Sequence, residues 1–246
     1  MQELMLEATP VKQKKDVLVL GLGFAGTRIA SKIDRKIFDV LVVDRKSYFE
    51  FSPSIISALG NANKVTSITV TPEDILKPNE FLQADLGLLS RNKATLKFPA
   101  PPSAAQLATL QALHQRGWRV RIDETQTSAE VLFDYCVVCI GSAYPSPIRS
   151  FCGTVALRQE EMRNFSQRLA SPGLEKIIVE GGGYVAVETA LRAKEVAKSP
   201  VEIYVRSDTI LRNVPKEGQD KARQILTDKG IPIRFNRTST PEELAK

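Results

Sequence analysis

Asp16-Val-Leu-Val-Leu-Gly21-Leu-Gly-Phe-Ala-Gly26 is the stretch that decides the fold. Val17 to Leu20 is apolar without alternation, the pattern of a parallel strand buried on both faces. In the glycines that follow, Gly21 permits a tight turn, Gly23 lets the backbone approach a pyrophosphate, and Gly26 allows close helix–strand packing. A helix is expected to continue through Arg28, Ile29, Ala30 and Ile33, its first amides open to an anion. Phe38-Asp-Val-Leu-Val-Val-Asp44 is the next strand, ending in an acid 23 positions after Gly21. A carboxylate there can accept from both hydroxyls of a ribose. A lone GxGxxG says little, but strand, glycines, helix, second strand and terminal acid in order make a complete βαβ dinucleotide unit. Phe24 and Ala25 within the glycine turn and Arg45 beside the acid join Gly21, Gly23, Gly26 and Asp44 as candidate cofactor-binding residues.

The pattern recurs downstream. Lys176-Ile-Ile-Val-Glu180 runs into Gly181-Gly-Gly183-Tyr-Val-Ala186, a helix follows through Glu188 and Leu191, and Val201-Glu-Ile-Tyr-Val-Arg206 is the second strand. Gly181, Gly183, Tyr184 and Val185 are the matching candidates. Ala186 replaces the third glycine, widening the helix–strand contact without altering the anion site. The strand ends in Arg206 rather than an acid, with Arg212 six positions on. That pair suits a 2′-phosphate and predicts NADPH, with NADH second; two solvated surface arginines are the bland alternative. Pro232–Phe235 is expected to be a third strand, with Thr240 capping a helix that begins at Pro241.

Between the units, Val65–Val70 and Ala94–Phe98 have the look of short strands and Pro99–Pro102 of a break. Ala104–Arg116 is expected to be a helix in a surface insertion spanning about residues 99–130. Phe133-Asp-Tyr-Cys-Val-Val-Cys-Ile-Gly141 is a further apolar strand, expected to return to the centre of the first sheet with Gly141 at the ligand crevice. Its Cys136 and Cys139 point to opposite faces of a strand, so buried core thiols are expected rather than a redox or metal pair. The fold class is α/β: two Rossmann-like domains with parallel sheets, residues 1–158 and 159–246.

The 246-residue chain is 43% hydrophobic, enough for a real core. No run of 18 uncharged apolar residues occurs, so no membrane span is expected. Residues 1–16 lack the apolar core of a secretory signal, and three cysteines make no disulfide framework, which points to an intracellular chain. A charge of +6 and a pI near 9.2 permit polyanion contact, nucleic acid only indirectly since the basic residues form no block. The single histidine, His114, lies among Leu110, Leu113 and Trp118 with no second ligand in sight, and no metal site is expected.

Two such units joined by a strand ending in glycine resemble the pyridine nucleotide-disulfide oxidoreductase superfamily, with FAD in the first unit and NAD(P)H in the second. The segment from Asp44 through Tyr48, Phe51 and Pro53 is similar to type II NADH dehydrogenases and ferroptosis-suppressor flavoproteins, which implies that Phe51 and Pro53 neighbour the flavin. Gly181–Glu188 with Arg206 and Arg212 is similar to the NADPH site of glutathione reductase, which makes Glu188 a candidate for positioning the nicotinamide. Residues 45–60 hold none of the cysteines of the disulfide reductases, so dithiol chemistry is not expected. The resemblance implies a flavoprotein passing hydride from NADPH to FAD and on to a quinone-like acceptor, in a mitochondrial setting. It also implies that the fold is C-terminally incomplete; a sheet that ends after its third strand leaves unpaired backbone groups at its edge, and another protein chain is expected to cover it. A catalytically degenerate homologue serving as a structural subunit of a larger assembly, or one half of a split flavoprotein, are the other readings.

Overall fold

The computed structural model describes residues 13–98, 102–142 and 147–244. In chain order the elements are β1 (Lys15–Leu20), α1 (Phe24–Lys32), β2 (Phe38–Asp44), β3 (Phe49–Glu50), α2 (Lys64–Ser67), β4 (Thr69–Val70), β5 (Phe81–Gln83), β6 (Asp85–Leu89), β7 (Lys93–Lys97), α3 (Ala104–Gln115), β8 (Val120–Ile122), β9 (Ser128–Leu132) and β10 (Tyr135–Val138). They are followed by α4 (Val155–Leu169), β11 (Ile177–Glu180), α5 (Tyr184–Val196), β12 (Val201–Val205), α6 (Lys216–Asp228), β13 (Ile233–Phe235) and α7 (Pro241–Leu244). Two compact units result, one from residues up to 50, 69–144 and 151–155, the other from 51–68, 145–150 and 156 onward.

The first unit is built on a parallel sheet of order β10-β1-β2-β5. Strands β1 and β2 are buried on both faces, and the two-residue period sorts their side chains. Val17, Val19, Val40 and Val42 pack with Leu22, Ala30 and Leu76, on the side that α1 covers. Leu18, Leu20, Leu41 and Val43 face Ala94, Leu96, Ala129 and Val131 of the antiparallel sheet β6-β7-β9-β8, together with Leu110 and Leu113 of α3. The helix expected in a surface insertion is therefore part of the core. Ser103 and Gln106 form a capping box that starts α3, and the Gln106 amide donates to the Gln83 carbonyl at 2.6 Å, fastening the helix to β5. Trp118 is fully buried, its indole N–H donating to Asp39 at 2.9 Å.

Three other expectations are corrected. Within Val65–Val70 only Thr69–Val70 is extended, because Lys64, Val65 and Thr66 find backbone acceptors at Asn61, Ala62 and Asn63 and close into a helical turn. Strand β10 does not sit at the centre of the sheet: among the described residues it pairs with β1 alone, and Tyr135 and Val138 are more than half exposed. Cys136 and Cys139 do face opposite sides, Cys136 packing with Leu18 and Leu20 and Cys139 with Val17 and Val19, but both are only partly buried.

The second unit carries a parallel sheet of order β11-β12-β13. Strand β12 is its core, with Val201, Ile203, Tyr204 and Val205 buried, and α5 covers it with Ala186, Val187, Ala190 and Ala193. Thr240 and Pro241 start α7 as expected, with the Glu243 N–H reaching the Thr240 hydroxyl at 3.4 Å. Among the described residues no helix is long and apolar enough to cross a membrane.

Candidate functional site

In the first unit the glycine turn is closed by contacts that leave no room for side chains except at one place. Gly21 has φ +107° and donates to the Val43 carbonyl at 2.7 Å; a Cβ on it would stand 2.4 Å from the Cys139 carbonyl oxygen. A Cβ on Gly26 would stand 1.8 Å from the Gly21 carbonyl oxygen, so α1 lies directly against the turn. Around Gly23, by contrast, a Cβ would meet nothing within 4 Å. Gly23 caps α1 without a side-chain hydrogen bond, and the first turn carries no acid, so its amides face that open space uncapped. Space, donors and the positive end of a helix together fit a pyrophosphate.

Asp44 ends β2 beside the turn. Its Oδ2 accepts from the Leu22 N–H at 2.6 Å and its Oδ1 from the Lys46 N–H at 2.8 Å. The carboxylate is thereby aimed, while each oxygen keeps acceptor capacity for a ribose hydroxyl. Arg45 is engaged by the protein: it donates to Asp85 at 2.8 and 2.6 Å and lies 5.1 Å over the Phe151 ring. Phe24 is half exposed and packs edge-on against Phe49 at 5.2 Å; Ala25 is exposed next to it. Gly141 is exposed with φ +69°, two residues beyond the Cys139 carbonyl that touches Gly21.

The second unit repeats the device with one change. Gly181 has φ +128° and donates to the Tyr204 carbonyl at 2.9 Å, and a Cβ on Gly183 would meet nothing within 4 Å. At the third position Ala186 is buried, and a Cβ added to Gly181 would lie 3.4 Å from its methyl, an ordinary van der Waals contact. Tyr184, Val185 and Glu188 are exposed along the start of α5. Arg206 and Arg212 are exposed, and neither makes a hydrogen bond or ion pair among the described residues. Phe51 and Pro53 belong to this unit, Phe51 exposed and donating to the Ile68 carbonyl at 2.8 Å, Pro53 opening the 3-10 turn Ser52–Ala58.

Sequence reasoning missed Glu180 and the groups that hold it. Its position just before Gly181 was a signal, but its partner Ser239 lies 59 residues on, beyond any local pattern. Missed as well was Glu243, whose carboxylate accepts from Lys176, Tyr204 and Arg237 at 2.9, 2.9 and 2.7 Å and whose pKa falls to about 2, the Lys176 hydrogen bond being the largest cause. Burial pushes the Cys136 and Cys139 thiols up, and the adjoining Cys139 adds to the effect at Cys136. Among the described residues no group of three or more His, Cys, Asp or Glu side chains is placed to hold a metal.

Comparison with known proteins agrees with this geometry. The family model described as pyridine nucleotide-disulphide oxidoreductase matches residues 15–243. Apoptosis-inducing factor homolog B of Dictyostelium discoideum is 27% identical over 194 residues, covering 77% of this chain and 41% of that protein. The mitochondrial internal alternative NAD(P)H-ubiquinone oxidoreductase A1 of Solanum tuberosum is 42% identical over 52 residues, 21% of this chain and 10% of that protein. The structure of NDH2 from Plasmodium falciparum in complex with NADH shares the fold, with a TM-score of 0.65 at 14% identity, covering 91% of this chain and 48% of that one. The chain thus spans about half the length of such relatives, or less. Its two glycine cradles, each opening a helix at the end of a parallel strand, and the match across 15–243 lead to one conclusion: the chain belongs to the pyridine nucleotide-disulphide oxidoreductase family.

Proposed function

We propose that this chain binds FAD on its first unit and a nicotinamide nucleotide on its second, and takes part in passing hydride from NAD(P)H to a quinone-like acceptor. The observation that carries this is the duplicated cradle: at Gly23 and again at Gly183 the backbone is bare to 4 Å in front of an uncapped helix start. FAD supplies the acceptance of two electrons from the nicotinamide and their delivery onward. The chain's own work is binding and orientation. The amides at the start of α1 hold the FAD pyrophosphate, and Asp44 accepts from the adenosine ribose. Those at the start of α5 hold the second pyrophosphate, and Arg206 and Arg212 meet a 2′-phosphate, which favours NADPH. Glu188, one turn into α5, is the candidate to position the nicotinamide. The potato relative bears a mitochondrial name, and the same setting is part of the proposal.

The test is spectroscopic and calorimetric. The purified chain, titrated with FAD and passed through gel filtration, is expected to keep a flavin band near ~450 nm, and NADPH is expected to bleach it anaerobically. Calorimetry is expected to give tighter binding of NADPH than of NADH. A folded chain that takes up no flavin in excess FAD would overturn the reading in favour of a structural subunit.

A further inference from the structure

Beyond β13 the chain turns back on the sheet it has just completed. The Asn236 N–H donates to the Ser207 carbonyl at 3.2 Å and the Arg237 N–H to the Val205 carbonyl at 3.0 Å. Ser239 then reaches β11, giving its N–H at 2.6 Å and its hydroxyl at 2.5 Å to Glu180 Oε1. Residues 236–240 therefore lie as a strap across the carboxyl ends of β12 and β11, the side of a parallel sheet where ligands bind. The far end of the strap is fixed. The Thr240 N–H donates to Glu243 Oε2 at 3.1 Å, while Glu243 Oε1 takes Lys176, Tyr204 and Arg237. Lys176 and Arg237 also lie over the Tyr204 ring, at 5.5 and 4.5 Å.

Glu180 is the residue this strap holds. It ends β11 immediately before the Gly181 turn and pairs in register with Tyr204, two residues before Arg206. The Ser239 hydroxyl and amide hold its carboxyl below the usual range, and the Arg206 charge acts in the same direction. At neutral pH an anion therefore stands at the same strand ends as the cation assigned to the 2′-phosphate.

We propose that Glu180 is a specificity-determining residue of the second cradle: held by Ser239 of the strap, its carboxylate offsets the Arg206 charge, weakens selection for the 2′-phosphate, and leaves the site open to NADH as well as NADPH. The proposal rests on the nucleotide reading of the second unit. It predicts that a site carrying two arginines still accepts the unphosphorylated nucleotide, because an anion near a phosphate subtracts from the attraction of each cation.

The experiment measures dissociation constants of NADPH and NADH by calorimetry for the wild-type chain, Glu180→Gln and Glu180→Asp, at low and high salt. Glu180→Gln keeps an oxygen for the Ser239 donors and removes the charge. It is expected to tighten NADPH on the order of fivefold and leave NADH within about twofold, with the gain shrinking as salt screens the site. Glu180→Asp keeps the charge and is expected to retain the wild-type ratio, which guards against a merely structural effect. An unchanged NADPH-to-NADH ratio in Glu180→Gln, a shift indifferent to salt, or Glu180→Asp behaving as Glu180→Gln overturns the proposal. A folded wild-type chain that binds neither nucleotide overturns instead the reading beneath it.

Discussion

The same substitution placed three residues apart separates folding from binding. Gly26→Ala puts a methyl 1.8 Å from the Gly21 carbonyl oxygen, where nonbonded carbon contacts settle at about 3.5 Å, so α1 or the turn must retreat by roughly 1.7 Å. Over-packing costs about 1–3 kcal/mol when side chains can yield, and here the neighbour is backbone. The helix propensity gained by replacing glycine, about 1 kcal/mol, does not offset that. A net loss of about 2 kcal/mol or more is expected, together with loss of FAD. Gly23→Ala meets nothing within 4 Å and needs no unusual φ, Gly23 lying at −83°. Its unfolded-state gain of about 0.4–1 kcal/mol roughly balances the poorer helix cap, so stability is expected to stay within about 0.5 kcal/mol. The methyl does occupy the space assigned to the pyrophosphate, and FAD affinity is expected to fall at least about tenfold, or 1.4 kcal/mol. Trp118, the single tryptophan, is buried in the first unit, so its fluorescence during urea unfolding reports that unit alone. Flavin titration gives the binding arm. Equal denaturation midpoints for Gly26→Ala and wild type, or undiminished FAD affinity in Gly23→Ala, would refute the reasoning.

Asp44→Ala removes an acceptor from the Leu22 and Lys46 amides as well as from the ribose; flavin titration should show a loss of about 1.5–3 kcal/mol, and unchanged affinity would take Asp44 out of the site. Arg206→Glu should abolish or reverse the preference for NADPH over NADH, read as the ratio of their calorimetric constants, since a carboxylate repels the 2′-phosphate and accepts from a 2′-hydroxyl. Glu243, at about 2 in the folded chain against an ordinary value of 4.5, stabilises the second unit above pH 4.5 and loses that contribution as pH falls toward 2. Glu243→Gln should flatten acid unfolding across that window, followed by far-UV circular dichroism; an unaltered acid limb would remove the cluster from the account.

Both βαβ units were legible because each is written within a few tens of residues. Glycines at fixed offsets, an apolar strand before them and a charged strand end after them are local requirements of one turn and one helix start. What covers the sheet was not legible, for a reason contained in the same strands. Val17 and Val19 face one side and Leu18 and Leu20 the other, so a strand apolar on both faces demands cover twice without naming it. Helix α3 answers one of those demands with only Leu110 and Leu113 fully buried, among alanines and polar residues, plus a tryptophan beyond its end. Such a sparse stripe looks like a surface helix until Leu18 and Leu41, about seventy to ninety residues away in sequence, are seen to pack against it. The turn at 64–67 was misjudged for the opposite reason: β-branched Val65 and Thr66 favour strand, but three successive short-range hydrogen bonds satisfy the backbone first.

The departures of the second unit from the first are physically connected. Ala186 stands where the first unit has glycine: a Cβ on Gly26 would stand 1.8 Å from the Gly21 carbonyl oxygen, whereas the second unit carries a methyl at the matching position. The start of α5 is uncapped like that of α1, so the alanine is compatible with the anion proposed there. Discrimination then falls to the strand ends, where the first unit has one acid fixed by two amides. The second has an exposed arginine and, one strand over, an acid fixed by Ser239. A carboxylate tied to the turn at Asp44 suits a ribose with free hydroxyls. A carboxylate one strand removed, beside Arg206, adjusts how strongly a phosphate on that ribose is felt, which is a graded effect and not a choice between two nucleotides.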